Sequence, residues 1–139
     1  MLFRSGDAAR LIVDLFDGAC HIELHREDNA LSGFTRANSG GVPDNFALYF
    51  YVSLDTPVSE VGLCKDGQPL QGTAADGDGL GAFLEVASGG TLTARIATSF
   101  ISIEQAQRNL AREVGERDFD EVLAESTAIW NDEIGRAHV

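Results

Sequence analysis

The first hundred residues read as an antiparallel β-sandwich and the remainder as two helices, which makes the chain mainly β with a C-terminal αα-hairpin. Two observations predict this. Short runs rich in β-branched and aromatic residues recur at roughly 8–12-residue spacing, with Gly, Asp, Asn and Pro turn signals between them. From Ser99 onward the apolar period changes from two to about 3.6. The predicted division is 1–100 for the sandwich and 101–139 for two linker helices.

The elements follow in order. Arg10–Phe16 (RLIVDLF) is a β-branched run closed by Asp17-Gly18, a hairpin-type turn signal. Cys20–Arg26 alternates strictly, with Cys20, Ile22 and Leu24 on one face and His21, Glu23 and His25 on the other. Leu31–Ala37 is a weaker strand, and Asn38–Asn45 (NSGGVPDN) is a loop. Phe46–Leu54 (FALYFYVSL) is apolar on both faces, as expected of a central strand covered on both sides. Thr56-Pro57 ends it. Val58–Lys65 is closed by Asp66-Gly67, and a weak run follows at Leu70–Ala74. Leu80–Ala87 and Thr91–Phe100 read as a last hairpin joined through Ser88-Gly89-Gly90. Leu92, Ala94, Ile96, Thr98 and Phe100 form the inner face of its second strand.

The helices carry their own signals. Ser102 stands three residues before Gln105, a capping-box spacing, and Gly115 is placed to end the first helix. Ile103, Ala106, Leu110 and Val114 share a face. Asp118 and Glu121 repeat the capping chemistry for a second helix. Its stripe is Phe119, Val122, Leu123, Ser126, Ile129, Trp130 and Ile134, with a stop near Gly135.

Composition narrows the function classes. A net charge of -12 over 139 residues argues against a nucleic-acid partner, since phosphate binding calls for a basic face. The sequence pI is about 4.4. No apolar run approaches the length that spans a bilayer, so no membrane partner is expected. The first six residues are too short for a signal peptide, and the compartment stays open. Cys20 and Cys64 show no metal spacing; two buried free thiols is the reading taken, with one disulfide as the alternative.

Few constellations carry chemistry. His21, Glu23 and His25 project from one strand face about 6.6–6.8 Å apart, which suits a transition metal or, more plainly, a solvated face. Asp76-Gly77-Asp78-Gly79 reads as a turn, without the ligands of a calcium loop. Tyr49 and Tyr51 are read as packing residues, with sugar stacking as the alternative. Trp130 is read as a packing anchor. The candidate binding residues are Ser39, Gly40, Gly41, Asp44 and Asn45, in a long loop whose adjacent glycines let the backbone approach a ligand. No catalytic or metal-ligating residue is assigned.

The helical stretch resembles the interdomain linker of glycoside hydrolase family 92, the calcium-dependent exo-α-mannosidases. The matching residues are Ser99, Ser102, Glu104, Ala106, Asn109, Leu110 and Glu113, then Asp118-Phe119-Asp120, then Trp130-Asn131. Upstream, Leu31–Phe34, Asn38–Gly41 and Ala47–Val52 are similar to later strands of the family's N-terminal sandwich. The resemblance implies part of a galactose-mutarotase-like supersandwich that precedes an (α/α)6 barrel. It places the general acid, general base and calcium ligands mostly in that barrel, so this chain alone is expected to be inactive and to hold no cofactor. The linker residues then serve capping and packing. The implied partner is the absent barrel, and the parent family is often secreted or periplasmic. Two other readings stay open: a stand-alone carbohydrate- or protein-binding sandwich, and self-association through the exposed helix faces.

Overall fold

The structure, a computed structural model, describes residues 2–3, 8–87 and 92–136. Ten strands lie among them: β1 (Leu2–Phe3), β2 (Ala9–Asp14), β3 (Cys20–His25), β4 (Ala30–Thr35), β5 (Leu48–Leu54), β6 (Val58–Lys65), β7 (Gln68–Leu70), β8 (Ala74–Gly77), β9 (Leu80–Val86) and β10 (Leu92–Ser99). Two helices follow, α1 (Ile103–Glu113) and α2 (Phe119–Arg136). One sheet has the order β1-β10-β5-β4-β3-β8, the other β2-β9-β6-β7, and the strand pairs are antiparallel.

The core lies between the sheets. Alternation sends Cys20, Ile22 and Leu24 inward from β3, and Phe50, Val52 and Leu54 inward from β5, against Ala82, Leu84 and Val86 of β9. Ile22, Leu31 and Leu84 are wholly buried. The opposite face of β5 carries half-buried Tyr49 and Tyr51, and α1 packs there against β10, β5 and β4. That is why both faces of β5 are apolar. Ala106 and Leu110 are the buried residues of α1.

Two predicted hairpins are absent. β2 pairs with β9 and β3 with β4, so Asp17-Gly18 carries the chain from one sheet to the other. β9 and β10 likewise belong to different sheets. Their joint, Ser88-Gly89-Gly90, lies outside the described residues. Turn residues mark where a chain bends but not which strand it pairs with next. Asp66-Gly67 is a true hairpin turn, with both residues left-handed (φ 50° and 74°) as its twist requires. The weak run at Leu70–Ala74 splits into β7 and β8, one in each sheet, and Asp76-Gly77 closes β8 instead of forming a loop.

On β10, Leu92 and Ala94 pack on the core. Ile96 shares their face, opposite Val52, yet is 54% exposed, so the second sheet stops short of it. Phe100 lies beyond the strand and is exposed. Gly115 ends α1 in a left-handed conformation, its N–H donating to the Leu110 carbonyl. α2 passes through Gly135 to Arg136. Trp130 is 67% exposed and anchors nothing among the described residues, because α2 buries none of its side chains.

Candidate functional site

Ser39, Gly40, Gly41, Asp44 and Asn45 lie on the exposed connection from β4 to β5. Gly40 and Gly41 both have positive φ, and among the described residues nothing lies within 4 Å of where a Cβ would stand, so a ligand could reach this backbone. The loop is held locally. Asn38 Oδ1 accepts from the Gly40 N–H at 2.8 Å, while Asn38 Nδ2 donates to the Arg36 carbonyl at 2.8 Å. The Pro43 carbonyl accepts from the Phe46 N–H. The Phe46 and Phe100 rings meet at 5.7 Å, which brings the loop to the end of the sandwich where the chain departs for α1. Phe16, Phe100 and Ile101 are exposed at that end.

The second grouping is the outer face of the six-stranded sheet. Register sets His21, Phe34, Tyr49 and Ser99 in one row, and Glu23, Ser32, Tyr51 and Ala97 in the next. The His21 ring stacks on Phe34 at 6.0 Å, and Phe34 tilts against Tyr49 at 5.7 Å. His21 Nδ1 lies 2.9 Å from an Asp76 carboxylate oxygen, and His25 Nε2 2.8 Å from the buried Ser32 hydroxyl. Each imidazole is thus engaged with a different partner. Among the described residues, no three His, Cys, Asp or Glu side chains are grouped to hold a cation. Burial, and then the charge of Asp28, raise the Tyr51 phenol above its ordinary range, so it is a neutral hydroxyl at physiological pH.

Tyr51 also lines a cleft of about 630 Å³ between the sheet and α1, with Ser53, Arg95, Gln107 and Glu116. Arg95 Nε is buried there without a hydrogen-bond partner among the described residues. Sequence reasoning missed this arginine, because its neighbour is a helix whose docking site no local pattern reveals. The thiols of Cys20 and Cys64 are free; Cys20 is buried and Cys64 only half-buried. No helix among the described residues is long and apolar enough to cross a membrane.

Residues 1–99 match the sequence profile described as the glycosyl hydrolase family 92 N-terminal domain. No curated protein matches the chain. Among solved structures, the family 92 inverting mannosidase of Bacteroides thetaiotaomicron is 38% identical, with a TM-score of 0.84 over 91% of this chain and 18% of its own. A family 92 α-mannosidase of the same organism superposes with a TM-score of 0.83 over 96% of this chain and 20% of its own; at 20% identity it supports the fold alone. A further family 92 glycosyl hydrolase is 27% identical, with a TM-score of 0.76 over 91% and 18%. The chain therefore spans about a fifth of the length of these relatives.

Proposed function

The chain belongs to glycosyl hydrolase family 92, and on that premise we propose that it is the non-catalytic sandwich-and-linker portion of an α-mannosidase-like enzyme. The observation that carries this reading is the pairing of a 38% identical mannosidase with coverage of only 18% of that mannosidase's chain. In this reading 1–100 is sandwich and 101–139 is linker, leading to a catalytic (α/α)6 barrel. The parent reaction is inverting hydrolysis of terminal α-mannosides, with calcium in the barrel.

The chain's contributions are positional. The Ser39–Asn45 loop, with its two open glycines and the carboxylate of Asp44, lies close to substrate at the domain boundary. The stripe of α2 packs on the barrel. Self-association is the competing use of that stripe, but α2 carries five acidic residues against one arginine, so two copies would set like charges together. The half-exposed row of His21, Phe34 and Tyr49 favours a second reading, a carbohydrate-binding sandwich.

One preparation tests both readings. The purified 139-residue chain, given calcium and an aryl α-mannoside, is expected to release no mannose; calcium-dependent release would overturn the first reading. Titration of the same sample with mannose oligosaccharides is expected to leave tyrosine and tryptophan fluorescence unchanged. A saturable change would shift the conclusion to the binding module.

A further inference from the structure

We infer that the cleft between the six-stranded sheet and α1 is a carboxylate-binding site in which Arg95 holds the anion. Register builds it. Arg95 of β10 stands opposite Ser53 of β5, and Tyr51 lies one row along the same face, opposite Ala97. Opposed and diagonal neighbours on one sheet face are within reach of long side chains. α1 forms the other wall with Gln107, Leu110 and Ala111, and the turn after it adds Gly115 and Glu116. The helix is pinned over the sheet, because Asn109 Nδ2 donates to the Thr98 carbonyl at 2.9 Å and Ala106 and Leu110 are buried.

Arg95 is short of partners. Its Nη2 donates to the Arg117 carbonyl at 3.4 Å, near the outer limit for a hydrogen bond. Its Nε is buried with no acceptor among the described residues, and among them Arg95 makes no ion pair. A buried donor left unpaired costs free energy that a bound acceptor would recover. Asp55 lies near enough to feel the charge of Arg95, but its carboxylate is taken by the Thr93 N–H and the Thr56 hydroxyl.

The other groups in the cleft suit the same ligand. The Tyr51 phenol keeps its proton, and with the Ser53 hydroxyl and the Gln107 amide it can donate to an oxygen. Leu110 and Ala111 make part of the wall apolar, and low local polarity strengthens a charge-assisted hydrogen bond. A planar carboxylate matches the guanidinium fork. Charge favours it over phosphate. Among the described residues Arg95 is the one cation lining the cleft, and Glu116 lines it too, so a dianion would be left uncompensated. A volume of about 630 Å³ admits a sugar-sized molecule. The carboxylate can belong to a free ligand such as a hexuronate, or to an Asp or Glu side chain of the longer enzyme.

The test follows the Arg95 Nε–H resonance of the 139-residue chain in proton–nitrogen correlation spectra, assigned by its disappearance in Arg95→Lys. Glucuronate is expected to shift it saturably, while its neutral amide, glucuronamide, leaves it in place. Arg95→Lys keeps the charge but loses the fork, and is expected to weaken glucuronate binding at least about tenfold in equilibrium dialysis. No saturable shift at millimolar glucuronate would overturn the inference, and so would an equal response to glucuronamide or to inorganic phosphate. A resonance that moves in Glu116→Gln without any ligand would also overturn it, by showing that Glu116 already fills the site. Dialysis of the longer enzyme separates the two sources. Glucuronate bound there and lost in Arg95→Lys assigns a free carboxylate. Glucuronate excluded there, with a lower melting temperature for Arg95→Lys, assigns a side chain of the enzyme itself. Exclusion without that change would mean an uncharged cover and would sink the inference. The spectra of the 139-residue chain are read without reference to any barrel, so this inference and the family reading can fail separately.

Discussion

Gly33 shows how much one residue type can decide. It lies on the inner face in the row Ile22, Gly33, Phe50. A Cβ there would overlap the His21 carbonyl oxygen and come within 2.8 Å of the Phe50 ring. Gly33→Ala is therefore expected to destabilise the fold by about 3 kcal/mol or more, read as a shift in denaturant midpoint, because the obstacle is backbone that cannot step aside. Asp55 is a second such case. Burial pushes its carboxyl upward, but the Thr93 N–H and Thr56 hydroxyl bonds, with Arg95 nearby, outweigh burial and hold it below its usual value. A depressed folded-state pKa gives stability that is present above the unfolded value and lost as pH falls through the folded one. Asp55→Ala is expected to lower stability at pH 7 by about 0.5–1.5 kcal/mol. In thermal melts that difference should shrink as pH falls below about 4.

The two helices carry similar caps with different consequences. Ser102 Oγ accepts from the Gln105 N–H at 3.1 Å, but the Gln105 side chain donates to Asn109 instead of returning to Ser102. At α2 the box closes both ways: Asp118 Oδ1 accepts from the Glu121 N–H, and Glu121 Oε2 from the Asp118 N–H. α1 is docked through Ala106 and Leu110, so losing its cap weakens the whole domain. α2 buries no side chain, so losing its cap only frays the helix. Ser102→Ala is expected to reduce global stability by about 1 kcal/mol. Asp118→Ala is expected to leave the denaturation midpoint in place while reducing far-ultraviolet helical signal. Both caps were legible because capping is local chemistry. The role of Asn109 in holding the Thr98 carbonyl was not, since it depends on where α1 docks.

At the scale of the molecule, the two-layer architecture and the face of nearly every strand followed from alternation, since one solvated face forces period two. The pairing did not follow. Leu31–Ala37 looked weak because Gly33 interrupts it, yet that glycine seats the Phe50 ring. Hairpins were expected at Asp17-Gly18 and Ser88-Gly89-Gly90, but the chain changes sheets around both. The candidate loop was legible as a loop, and its glycines do open outward; nothing in its residues foretold the Phe46–Phe100 contact that brings it to the departure point of α1. The pairing of β2 with β9 has a further consequence during synthesis. Ala9 waits for Val86, and Asp14 for Gly81. At translation speeds of about 5–20 residues per second, roughly 4–15 s pass between the synthesis of β2 and that of its partner. The β-branched residues of β2 have no partner strand throughout that interval, which leaves β2 open to contact by a nascent-chain chaperone.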